Sequence, residues 1–209
     1  MTPIVLDIAT APMAGVEQYI TPNDPPANYK KPEAIEKWQA EDVAEQIEKA
    51  ALDLDLCVIT GVGMHGGPTG GTPVIRTLND TDEAGLLNCV MAIMGSPIRP
   101  LISFNGLRFD WLVLMRRALY LDVPFPKINV DKYRTPHYDL FNILGHNGTV
   151  KAKSLCFYVN RFGWLDLEKP LSGAEEAKVL QTGDWDGLRK SIAHDVEATR
   201  RLAQKMGVL

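Results

Sequence analysis

The sequence predicts an α/β protein in which a central mixed β-sheet is flanked by helices. Three observations carry this. Short β-branched apolar runs alternate with helical stretches in the order strand, helix, hairpin, helix, strand, helix, and the chain then stays helical. Its 209 residues suffice for one sizeable core. No internal repeat and no linker divides them, so a single domain over residues 1–209 is expected.

The first strand is expected over 3–9, where Ile4, Val5, Leu6 and Ile8 surround one carboxylate, Asp7. An unpaired charge is costly to bury, so Asp7 marks a position that packing alone does not explain. Side chains alternate along a strand, which puts Asp7 and Ala9 on one face. Residues 11–31 contain Pro12, Pro22, Pro25 and Pro26 and read as a long surface loop. Within it, Tyr19 and Tyr29 either stack on bases or pin the loop to the body. Pro32 opens a helix in which Ile35, Trp38, Val43, Ile47 and Ala50–Ala51 recur at near-helical spacing; Asp53–Asp55 end it.

A hairpin follows, with strands at 56–64 and 73–78 and a glycine-rich turn at 65–71. The turn lacks the Gly-Lys-Ser/Thr ending of a phosphate loop and joins strand to strand, so it reads as a connection. Residues 79–82 cap a helix to about Gly95 with Leu86, Leu87, Val90, Met91 and Met94 inward. A strand at 100–104 leads through Asn105-Gly106 into a helix at 108–120. Asp110 lies in its first turn, where the helix N-terminus favours an ionised carboxylate. Residues 122–137 read as a connection with an edge strand, and 138–144 as a helix start. A short helix is expected from Ser154 to Arg161. The last helix, over 184–206, turns Leu188, Ile192, Val196, Thr199, Leu202 and Ala203 inward. Asp195 borders that stripe, and His194, about 100° further round, is expected to face elsewhere.

Apolar content of 45% and charged content of 23% are ordinary for a globular protein. No apolar run is long enough to span a bilayer and no signal sequence opens the chain, so no membrane partner and a cytoplasmic location are expected. Cys57, Cys89 and Cys156 lack metal-ligand spacing and read as buried, reduced thiols. A net charge of −4 argues against nucleic-acid binding through overall basicity. A local patch could still steer a strand, and Arg108, Arg116, Arg117, Lys151 and Lys153 are the candidate phosphate contacts.

Three stretches, "LDIAT", "FNGLRFDWLVLMRRA" and "HDVEATRRL", resemble in order and spacing the three motifs of DEDD-type 3'-5' exonucleases. The similar branch is that of predicted exonucleases related to the proofreading domain of B-family DNA polymerases. "PPANYKKPEAIEKW", "KAALDLDLCVITGVGM" and "HYDLFNIL" extend the resemblance over nearly the whole chain. It implies a ribonuclease-H-like fold and a metal-dependent 3'-5' exonuclease acting on a nucleic-acid 3' end, single-stranded DNA. It also implies two divalent ions, Mg²⁺ or Mn²⁺, held by Asp7, Asp110 and Asp195 as catalytic residues. Thr10, Asn105, Phe109, His137 and Asp139 would contact the strand or orient the carboxylates.

Two positions depart from that pattern. The first motif is Asp-x-Glu in the family, but the chain has Asp7-Ile8-Ala9. Where the family has a tyrosine four residues before the last Asp, the chain has Ser191, and the histidine position of the related branch holds Lys190. Alanine cannot ligate a metal, and serine is too short to reach where a phenol would. Three explanations stay open: a degenerate exonuclease that binds ends without cutting, a replacement carboxylate (Asp139, Glu17 or Glu197), or an engineered change at Ala9. The alternative function is a non-catalytic nucleic-acid-binding or interaction module on the same fold. A weaker third is an α/β protein with no nucleic-acid role.

Overall fold

The computed structural model describes residues 2–66 and 71–209. Most of the glycine-rich turn expected over 65–71 therefore lies outside the described residues. In chain order the elements are β1 (Ile4–Pro12), α1 (Pro32–Lys49), β2 (Cys57–His65), β3 (Val74–Thr77), α2 (Glu83–Met94), β4 (Leu101–Ser103) and α3 (Asp110–Tyr120). These are followed by β5 (Tyr138–Asp139), α4 (Leu140–Leu144), α5 (Leu155–Arg161), α6 (Gly173–Glu176), α7 (Val179–Thr182) and α8 (Trp185–Lys205). The strands form one five-stranded sheet of order β3-β2-β1-β4-β5. β2 runs antiparallel to β1 and β3, while β4 and β5 continue parallel to β1, so the sheet is mixed.

β1 lies at the centre, and its two-residue period sorts the core. Ile4, Leu6 and Ile8 pack against Leu86 and Leu87 of α2 and Trp111 and Leu114 of α3. Val5 and Ala9 pack on the other face against Leu188, Ile192 and Val196 of α8. Asp7 is on this second face. α8 comes close there because β2 has no side chain beneath it: Gly63 pairs with Asp7 and Gly61 with Ala9. A Cβ at Gly61 would overlap Ile192, and one at Gly63 would overlap both Ile192 and Val196. Gly63→Val is therefore expected to cost about 1–3 kcal/mol in urea denaturation by wedging α8 off the sheet. An unchanged midpoint would show that α8 accommodates the methyls without shifting.

On the first face, α2 and α3 are tied by a buried ion pair. Glu83 accepts from Arg117 Nε and Nη2 at 2.8 Å each, and from the Ile59 amide of β2 at 2.8 Å. Asp82 caps α2 by accepting from the Gly85 amide.

Several expectations change. β1 runs on to Pro12, three residues beyond the expected end, because β2 pairs along its full length. α1 starts at Pro32 as expected but ends at Lys49, and the chain passes into a 3₁₀ turn at Ala50–Leu52 that carries the buried Ala50 and Ala51; within α1 itself no residue is buried, and Ile35, Trp38, Val43 and Ile47 are only half-covered. Its apolar residues are too sparse among charged ones to make a core stripe. The edge strand expected inside 122–137 is instead Tyr138–Asp139, at the expected start of a helix that begins at Leu140. Pairing with Ile102 and Ser103 of β4 draws those two residues into the sheet. Of the three cysteines, Cys57 is buried, Cys89 is half-buried and Cys156 is exposed. Tyr29 packs edge-on against Trp38, which pins the loop, while Tyr19 is 60% exposed.

Candidate active site

The three motif carboxylates lie around β1, near enough for their charges to act on one another. Asp7 is carried by the central strand, and Asp110 opens α3 with its Oδ1 accepting from the Ile8 amide at 3.3 Å. Asp195 comes from the middle of α8, which the two glycines of β2 let settle on the sheet. Burial and then the charges of Asp195 and Asp110 push the Asp7 carboxyl well above the usual range, partly offset by Lys169. Asp110 is 5% exposed, and burial pushes it up to about 7 against the opposing backbone hydrogen bonds; the charges of Asp139 and Asp195 add to the rise. Carboxylates crowded this way oppose folding when ionised.

Asp195 is gripped from two sides. Lys169 Nζ lies 2.5 Å from its Oδ2, and His194 Nδ1 lies 2.9 Å from its Oδ1. His194 does not face elsewhere: it is 6% exposed, its ring folded back along α8 onto the neighbouring carboxylate. Lys169 also pairs with Glu176 of α6 at 2.9 Å. Burial would weaken the ammonium, but the two carboxylates beside it hold it charged, above its usual range. Ser191 is fully buried, and its hydroxyl donates to Glu176 Oε1. Sequence reasoning missed both Lys169 and Glu176. The available signal was slight: a capping box at Ser172 and Glu175 announces the short α6 on which Glu176 rides.

The other candidates hold the scaffold. Asp139 is 3% exposed and accepts from three backbone amides, those of Asn105 (2.9 Å), Leu107 (3.0 Å) and Asn142 (3.1 Å). It thereby caps α4 and fixes the turn that leads into α3. That turn needs Asn105 at φ 74°, a conformation asparagine tolerates better than most residues. His137 is buried. Its Nδ1 accepts from the Leu101 amide at 3.0 Å, and burial lowers its pKa, consistent with a neutral imidazole. Thr10 donates to the Ala51 carbonyl at 2.6 Å. Phe109 is half-buried at the N-cap of α3 against the first core cluster.

Two of the three suggested replacement carboxylates are engaged elsewhere, and the third lies on the surface. Asp139 is used as described, Glu197 is held down to about 2 by Arg200 and Arg201, and Glu17 is exposed on the 3₁₀ turn after β1. Ala9 is packed in the core at 3% exposure.

Two recesses lie on this part of the surface, the first of them beside Asp195's partners Lys169 and His194. One of about 300 Å³ is lined by Lys169, His194, Asn160, Trp164 and Leu165, with Trp164 stacked on Phe162. The other, about 360 Å³, is lined by Arg108, Phe141, Asn142 and Lys151. Arg117 is taken up by Glu83 and Arg116 lies 3.4 Å from Asp55, so neither is a free phosphate contact. Lys153 lies over the Phe157 ring. Among the described residues no helix is long and apolar enough to cross a membrane.

The donor chemistry of Asp7, Asp110, Asp195 and Glu176 suits a hard divalent cation, since all four offer carboxylate oxygens. With Lys169 between Asp195 and Glu176, however, no three His, Cys, Asp or Glu side chains among the described residues stand close enough to hold an ion.

No protein-family model and no curated protein matches the chain. In three dimensions it is similar to the family B DNA polymerase from the hyperthermophilic archaeon Pyrobaculum calidifontis, with a TM-score of 0.62 and 15% identity. The match covers 99% of this chain and 24% of that one, so the chain spans about a quarter of that polymerase's length. At this identity the likeness is one of fold, and the fold is the α/β, ribonuclease-H-like arrangement expected from the sequence.

Proposed function

We propose that the protein is a metal-dependent 3'-5' exonuclease that removes nucleotides from a single-stranded DNA end. The observation that supports this most is the gathering of Asp7, Asp110 and Asp195 around β1, despite the electrostatic cost. The likeness to a polymerase fold supports nucleic acid as the partner. The two recesses support a strand path: Trp164 and Phe141 offer faces for bases, and Arg108 and Lys151 offer charge for phosphates.

In this reading Asp7, Asp110 and Asp195 would hold Mg²⁺ or Mn²⁺ only after drawing closer together than they stand here. When bound, a pair of such ions supplies an activated water and relieves charge on the departing 3'-oxygen. The chain's own residues do the rest. His194 orients Asp195 by donating from Nδ1, while Asp139 fixes the turn that aims Asp110. Lys169 provides a standing positive charge beside the place where a phosphate would lie.

The test is a 5'-labelled single strand incubated with Mn²⁺ and either this chain or Ala9→Glu. A ladder shortening from the 3' end with this chain is the expected result. A ladder with Ala9→Glu alone would make position 9 the switch. No ladder from either would reject hydrolysis.

A second reading is favoured by Ala9 being sealed in the core and by Lys169 already neutralising Asp195 and Glu176. It is a non-catalytic module that holds nucleic-acid ends. Salt-sensitive strand binding that survives chelation, with no ladder, would select it.

A further inference from the structure

We infer that a recess at the far end of β1 binds a nucleobase, which stacks on Tyr19 and is read along one edge by Asp55 and Arg117. The inference goes beyond the carboxylate site and depends neither on hydrolysis nor on a bound ion.

The recess has a volume of about 390 Å³ and lies where β1 has ended, β2 begins and α3 ends. Five residues of β1 separate Asp7 from Pro12, so the recess begins roughly 17 Å along the strand from Asp7. Met13, Leu56 and Leu121 give it an apolar lining. Tyr19 and Tyr120 line it as well, yet they are 60% and 51% exposed. Arg117 lies over the Tyr120 ring at 5.6 Å, which leaves Tyr19 as the more open platform.

Two polar groups border this apolar space, and each has a binding position left. Asp55 Oδ1 accepts from the Tyr120 hydroxyl and lies 3.4 Å from Arg116 Nε, while its Oδ2 accepts from no other described residue. Arg117 gives Nε and Nη2 to Glu83, and its Nη1 donates to no other described residue. The Arg117 side chain is only 11% exposed, but Nη1 is not sealed off, and the residue lines the recess.

The charges here are already matched, Arg117 with Glu83 and Arg116 with Asp55, so the recess has no net charge with which to hold a phosphate or a carboxylate. It offers flat apolar surface, one acceptor and one donor, the pattern of a small-molecule site with few polar groups. A neutral heteroaromatic ring with a donor and an acceptor on one edge satisfies all three. Nucleobases are such rings; adenine presents its N6 amine beside N7. The base comes either from a free nucleoside or from a strand.

The test is titration of the full chain, in chelator and at two salt concentrations, with deoxyadenosine and with an eight-residue oligodeoxyadenylate. The variants are Tyr19→Ala, Tyr19→Phe and Asp55→Asn; asparagine keeps an oxygen for Tyr120 and puts a donor where the free oxygen was. Thermal melts check that each variant is folded. Deoxyadenosine is expected to bind equally at both salt concentrations, because no phosphate is contacted. Tyr19→Ala is expected to weaken it about 5–150-fold. Tyr19→Phe should retain it, and Asp55→Asn should lose affinity without a change in melting temperature. Binding of the strand alone, weakened by Tyr19→Ala and Asp55→Asn, would also support the inference and assign the base to a strand. Strand binding that neither variant changes, with no binding of the nucleoside, would overturn the inference while leaving nucleic acid as the partner. Binding of neither ligand would overturn it too, and the exonuclease reading would still be decided by the ladder.

Discussion

Asp110→Asn is expected to raise the unfolding temperature of the metal-free protein at pH 8 and to leave it unchanged near pH 4. The folded protein holds this carboxyl up to about 7, mainly by burial, against about 3.9 in an unfolded chain. Below the unfolded value both states carry the proton, and the group costs nothing. As the pH rises from about 4 to about 7, the unfolded state ionises first, so folding is progressively penalised. Above about 7 the penalty levels off at roughly 4 kcal/mol, from about three pKa units at 1.36 kcal/mol each. Asparagine keeps the oxygen that accepts from the Ile8 amide and removes the charge. The stabilisation should therefore follow a curve that rises between pH 4 and pH 7 in melts done with a chelator. A difference that does not change with pH would mean that Asp110 is not a strained charge. Under the proposed chemistry the same variant loses strand shortening by at least about 10²-fold, since even residues that only support metal ligands cost 10–100-fold. More stability with less activity is what a functional carboxylate, as opposed to a structural one, predicts.

Arg117→Met should destabilise the protein by about 3–5 kcal/mol, read as a shift in the guanidinium midpoint. The guanidinium is nearly enclosed, and it makes two hydrogen bonds of 2.8 Å to Glu83, which is itself 8% exposed. Removing it leaves a carboxylate buried with only the Ile59 amide for company. The double variant Glu83→Gln/Arg117→Met should regain most of the loss, because the amide can still accept from Ile59 and no charge is stranded. A single variant that loses less than about 1 kcal/mol would show that water reaches Glu83. The pair matters to the site because it ties α3, which opens on Asp110, to α2 and β2.

Much of the scaffold was legible before any coordinates. The β-branched runs marked the four longer strands, and Pro32, Asp82, Ser154 and Asp184 marked helix starts that the structure places within a residue or two. Local signals erred where tertiary pairing outweighed them. Tyr138–Asp139 is strand because β4 offers an open parallel edge, and α1 is a surface helix because nothing packs over it closely enough to bury it. His194 shows the limit of helical-wheel reasoning: it was expected to face elsewhere, but a ring with two rotatable bonds can turn back onto Asp195.

The sequence by itself determined the fold class and the two-faced character of β1, and it singled out three candidate carboxylates, because periodicity and motif spacing are local properties of the chain. Only the tertiary structure decided what surrounds those carboxylates. Lys169 and Glu176 lie on a stretch with no periodicity and no motif, and they reach Asp195 and Ser191 only after α6 folds over β1 and α8. Charge pairing acts through space between groups many residues apart, so which cation meets which acid cannot be read from residue order.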